Sequence, residues 1–150
     1  MFGLCGNQKI ICIDFDGVLH NHSTQHPNMR KAIGPPIIDV TTGRNSIEWL
    51  TQLIEIYVGL PDPTAYLRID PPVNAFDICI FSARSRHWGG RKGMKKWLVK
   101  NGLDPRYLAV LRFPLMKPMA HLIIDDRAFH FQGVFPTGKY IENFKPWGGK

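Results

Sequence analysis

Lys9-Ile10-Ile11-Cys12-Ile13-Asp14-Phe15-Asp16-Gly17 sets four apolar residues between a lysine and a pair of acids closed by glycine. A run this short, rich in isoleucine and ending in turn formers, reads as a buried strand. Two further runs share its form: Phe76-Asp77-Ile78-Cys79-Ile80-Phe81-Ser82 and His121-Leu122-Ile123-Ile124-Asp125. Leu108-Ala109-Val110-Leu111-Arg112 reads as another strand, and Gly133-Val134-Phe135 is a candidate fifth.

Helical patterns separate these runs. Asn45 stands three residues before Glu48, the spacing of a capping box. Ile47, Leu50, Leu53, Ile54 and Tyr57 then follow at helical intervals until Gly59-Leu60-Pro61 stops them. A second helix is expected over 90–100, with Met94, Trp97 and Leu98 inward and Lys92, Lys96 and Lys100 outward, stopped by Asn101-Gly102. Strands alternating with helices predict an α/β domain with a mostly parallel sheet. In such sheets ligands sit beyond the carboxyl ends of the strands.

The 150 residues suffice for one domain with one core. Residues 20–45 carry His, Asn, Pro, Gly and Thr with no sustained period, and read as a flap with a short strand at 37–40. Loops this long usually work as lids or binding segments. With 44% hydrophobic and 21% charged residues the composition is that of a soluble globular protein, with no apolar run long enough for a bilayer. The N-terminus lacks the pattern of a secretory signal. Three cysteines cannot pair completely, and Cys12 and Cys79 lie inside apolar runs, so a reducing, cytoplasmic setting is expected.

Net charge is +7, and its distribution is uneven. Between Ile78 and Leu103 stand Arg84, Arg86, Arg91, Lys92, Lys95, Lys96 and Lys100 with no acid, and without them basic and acidic residues balance at 12 each. A concentrated positive field attracts phosphate-bearing partners; its plainer role is a solvated helix face.

Three predicted strands end in reactive side chains: Asp14 and Asp16, Ser82-Ala83-Arg84, and Asp125-Asp126-Arg127. In a parallel sheet these ends converge, and four carboxylates at one rim repel one another unless a hard divalent cation such as Mg²⁺ neutralises them. An aspartate beside such an ion and a phosphate can attack phosphorus, and a second carboxylate can move the proton. Ser82 and Lys117 are candidate donors to the phosphoryl oxygens.

Taken in order, Ile-Ile-Cys-Ile-Asp14-Phe-Asp16-Gly-Val, Ile-Phe-Ser82, Lys117-Pro118 and Leu-Ile-Ile-Asp125-Asp126 resemble the four motifs of the haloacid dehalogenase-like (HAD) hydrolases. The resemblance covers residues 9–135. The tail with Phe131 to Pro136 and Phe144-Lys-Pro-Trp147 is similar to compact HAD proteins of phage and prophage genomes. It implies a Rossmann-like three-layer sandwich without a separate cap domain, and a Mg²⁺-dependent phosphatase. Asp14 matches the nucleophile and a metal ligand, and Asp16 the general acid/base with its carbonyl on the metal. Ser82, with Ala83 and Arg84, matches the phosphate-binding stretch, Lys117 the charge-offsetting lysine, and Asp125 and Asp126 the acidic metal pair, Asp126 favoured as direct ligand.

The implied substrate is a phosphorylated small molecule or nucleotide. Ser82-Ala83-Arg84 and Asp125-Asp126-Arg127 are also similar to motifs of polynucleotide 3′-phosphatases, which makes nucleic-acid ends, steered by segment 84–100, an alternative. A second alternative is a HAD fold kept as a non-catalytic binding module. Arg84 and Arg127 are candidate substrate contacts, while His20, His22 and His26 read as solvated flap residues rather than a zinc site. Trp97 reads as core, Trp88 as a possible base-stacking residue, and Trp147 as a docking residue of the tail.

Overall fold

Strand β1 (Lys9–Asp14) lies between β2 (Phe76–Phe81) and β4 (Leu122–Ile124), and β3 (Leu111–Arg112) continues the sheet beyond β2. The computed structural model describes residues 9–21, 28–59, 75–128, 130 and 132–145. His22, His26, the loop at 60–74, Phe131 and the tail from 146, with Trp147, lie outside the described residues. All pairings are parallel, in the order β3-β2-β1-β4. The class is therefore α/β with a parallel sheet, as the alternation of runs predicts.

Register places the chemistry. Ile13 pairs with Ile80 on one side and Ile124 on the other. The next row up therefore holds Asp14, Phe81 and Asp125, with Ser82 and Asp126 one residue above. The chain steps outward from β1 through β2 to β3, then returns to the far side of β1 for β4. That reversal creates a crevice at the carboxyl ends of β1 and β4, where doubly wound sheets take their ligands.

Helix α1 (Ser46–Tyr57) begins as its capping box predicts: the Asn45 side chain accepts from Ile47 and Glu48 amides, and Glu48 accepts from the Asn45 amide. Its Ile47, Leu50 and Ile54 are buried against the sheet, each worth about 1.5–3 kcal/mol. Helix α2 (Gly90–Lys100) buries Met94, Trp97 and Leu98, and the Trp97 indole donates to Gly34 O at 2.8 Å, so Trp97 is core. A short helix, α3 (Gly138–Asn143), buries no residue.

Three expectations are corrected. The strand at 108–112 shrinks to Leu111–Arg112, because Asp104 caps a 3-10 turn over Pro105–Ala109 with proline at its start. Residues 133–135 form no strand, with Val134 and Phe135 exposed, so β4 with its exposed Leu122 and Ile123 is an edge strand among the described residues. The 37–40 strand reduces to a single bridge between Ile38 and Asn45. No helix among the described residues is long and apolar enough to cross a membrane.

Candidate active site

Asp14, Asp125 and Asp126 each present a carboxylate oxygen within 4.8 Å of the others. Two adjacent strand ends deliver them, which is the convergence the sheet order demands. Asp125 is partly neutralised: Lys117 Nζ lies 3.1 Å from its Oδ2, and the Arg127 amide donates to its Oδ1 at 2.9 Å. Asp126 is not. Its Oδ1 is buried with no hydrogen-bond partner among the described residues. An ionised oxygen in that position is costly unless a cation faces it.

Gly17 explains how Asp126 reaches this place. A Cβ on residue 17 would stand 2.5 Å from Asp126 Oδ2, and the backbone there has φ +93°. Only glycine combines that conformation with that contact. Burial, then the charges of Asp125, Asp126 and Asp16, push the Asp14 carboxyl up to about 8. A self-repelling, oxygen-only cluster with one orphaned buried oxygen fits a hard divalent cation such as Mg²⁺. Asp14 and Asp126 would hold it, with Asp125 braced by Lys117 alongside.

Asp16 stands apart from this trio, so three carboxylates crowd together rather than the four expected. It accepts from His20 Nδ1 at 2.8 Å, Ser82 Oγ at 2.9 Å and Arg84 Nε at 2.6 Å. Burial by itself would raise its carboxyl. The bonds from His20 and Arg84, the Arg84 charge and the Ser82 hydroxyl outweigh burial and hold it well below the usual carboxylate range.

No protein-family model, curated protein or solved structure matches the chain. The geometry of the site is therefore the basis for reading it.

Arg84 departs from its expected place at an exposed rim. Its side chain is 2% exposed, and besides Asp16 it donates through Nη1 to Lys31 O at 2.6 Å and Met29 O at 3.3 Å. It thus ties the flap to the strand ends. Ser82 is buried beneath Asp16, and its Oγ also accepts from the Arg84 amide. Ala83 is exposed and opens a 3-10 turn through Arg86. The flap lies close on α2, since a Cβ at Gly93 would collide with Arg30 O, while one at Gly90 would collide with Arg84 O of the preceding 3-10 turn. Gly93 was the sequence signal of this backbone crossing.

His20 is the residue that sequence reasoning misplaced. It is 3% exposed, stacked on Phe15 and edge-on to Trp97, not solvated in a flap. The Gly34 amide donates to its Nε2 at 3.0 Å, so Nε2 carries no hydrogen. The proton therefore sits on Nδ1, which donates it to Asp16. A histidine beside an aspartate four residues away, just after a strand end, was the available clue.

Proposed function

We propose that this protein is a HAD-like, divalent-metal-dependent phosphomonoester hydrolase in which Asp14 is the nucleophile. The observation that carries the reading is the trio Asp14, Asp125 and Asp126 around the orphaned Asp126 Oδ1 at the sheet's switch point. A bound cation would offset the charge of these carboxylates and of an incoming phosphate.

In the first step an Asp14 carboxylate oxygen attacks phosphorus, and the bond from phosphorus to the ester oxygen breaks. The departing oxygen takes a proton, and water then displaces the phosphoryl group from Asp14, releasing inorganic phosphate and restoring the carboxylate. Lys117 lies beside the trio, through Asp125, and supplies fixed positive charge for the phosphoryl oxygens. Ser82 and Arg84 are donors that Asp16 covers in the structure. We assign proton transfer to Asp16 once an incoming phosphate takes over the Ser82 hydroxyl. Losing that bond removes one of the contacts that favour the ionised carboxyl, while those from His20 and Arg84 remain.

One observation favours a second reading, a HAD-fold binding module without turnover. Asp16 as held is an ionised anchor for Arg84 and His20, not a carboxyl ready to donate. Turnover decides between them. The protein is expected to hydrolyse a small ester such as p-nitrophenyl phosphate with Mg²⁺, to lose that activity in EDTA, and to regain it when Mg²⁺ is restored. Absence of hydrolysis across nucleotides, sugar phosphates and 3′-phosphorylated oligonucleotides, with Mg²⁺ present, would leave the binding module.

A further inference from the structure

An open groove of about 630 Å³ is lined by Asn28, Met29, Arg30, His87 and Trp88. Arg84 links the groove to Asp16, which it contacts with Nε while its Nη1 donates to Met29 O. The groove's wall is an unusual surface feature. Trp88 is 79% exposed, and the Arg30 guanidinium lies over its ring, 4.2 Å from the centroid. With that much of the indole in solvent, a π-face remains open to a planar ligand while a cation covers the ring from one side.

Charge narrows the ligand. Neither chain segment that builds the groove carries an acid, from Asn28 to Ile38 or from Ile78 to Leu103. Trp88 stands two residues before α2, whose exposed Lys92, Lys96 and Lys100 repeat every four residues. Four-residue spacing sets them on one side of the helix over about 12 Å, at a rise of 1.5 Å per residue. Arg91 and Lys95 lean on Phe113 instead, through its carbonyl and its ring. An exposed aromatic four residues before a row of exposed lysines is the pairing that binds single-stranded nucleic acid, bases stacked on the ring and phosphates on the lysines.

We propose that the groove and the lysine face of α2 bind single-stranded nucleic acid, with a base stacked on Trp88 and the strand's phosphorylated end directed to the carboxylate centre. The delivery of that end rests on the phosphatase reading; the binding does not. The Gly93 crossing and the Arg84 tie hold the flap side of the groove in place, so the platform is built rather than induced.

The test is anisotropy of a short fluorescein-labelled oligothymidylate, measured in EDTA so that no turnover intervenes. The wild-type protein is expected to bind it, with affinity falling as salt rises. Trp88→Ala should weaken binding about tenfold and Trp88→Phe much less, within the range that removal of a stacking aromatic produces. An abasic strand of the same length should bind both Trp88→Ala and wild type equally. Replacing Lys92, Lys96 and Lys100 together by Gln should flatten the slope of log K against log salt by about 2. No strand binding, equal affinity of Trp88→Ala for oligothymidylate, or a thymidine mononucleotide bound as tightly as the strand would each overturn the proposal. Strand binding without hydrolysis of any ester would remove the phosphatase reading and leave the groove. Ester hydrolysis without strand binding would do the reverse.

Discussion

Replacing Asp14 by Asn is expected to cut kcat/KM for phosphate esters by at least about 10³-fold, with the fold intact. Asparagine keeps the shape of the side chain, but its amide is a poor nucleophile and a neutral ligand. The structure adds a second expectation for the same variant. Asp14 is crowded by Asp125 and Asp126, and those charges together with burial drive its carboxyl up to about 8. Without metal, the neutral amide relieves this crowding. The variant should therefore melt no lower than wild type in EDTA, while gaining less stabilisation from added Mg²⁺. A variant that hydrolyses ester at near the wild-type rate would remove Asp14 as nucleophile. Loss of activity with a collapsed melting temperature would show instead that the aspartate is structural.

The second large effect is on stability. Arg84→Met should destabilise the protein by about 3 kcal/mol, because removing one partner of a buried ion pair strands the other. For a chain of this size that is a fall in Tm of roughly 6–12 °C. Arg84 is the largest of the fully buried side chains, and its guanidinium is the junction of Asp16, Met29 and Lys31. The pair also has a pH signature. A carboxyl held below its unfolded value contributes stability above the ordinary carboxylate range, and loses it as pH falls through that range toward the folded value. By letting the folded Asp16 carboxyl rise, Arg84→Met should shrink that acid loss and end it at higher pH. Combining it with Asp16→Asn should recover part of the deficit, since no unpaired charge is then left. Additive losses in the double variant would contradict the coupling.

The sheet was legible because β1, β2 and β4 are built mostly of isoleucine, cysteine, phenylalanine and leucine, and because Asn45 with Glu48 marks the start of α1 and Asn101-Gly102 the end of α2. The site was legible to the same degree. Acids and a serine closing apolar runs must meet at one rim once the sheet is parallel, and register then brings Asp14 level with Asp125. What failed to show was partnership. A histidine in a polar stretch has no period to betray burial, so His20 read as solvated although Asp16 and the Gly34 amide hold it inside. Arginine is almost never fully buried unless paired, so Arg84 read as surface until Asp16 and two flap carbonyls were seen around it. The short β3 was obscured by Leu108, whose apolar neighbours continue a strand pattern that Asp104-Pro105 had already turned into a 3-10 turn. The crossing of the flap on α2 was written in Gly93, whose significance appears only when the opposing Arg30 backbone is in view.

On the proposed reading, carboxylates from the ends of β1 and β4 share one divalent cation. Anomalous diffraction from crystals equilibrated with Mn²⁺ tests it most directly, Mn²⁺ taking the same oxygen ligands as Mg²⁺. A single strong peak bounded by Asp14 and Asp126, next to Asp126 Oδ1, and absent from crystals of Asp126→Asn, is the result expected. Saturating Mn²⁺ with no density between those two side chains, or a peak that survives unchanged in Asp126→Asn, would contradict it.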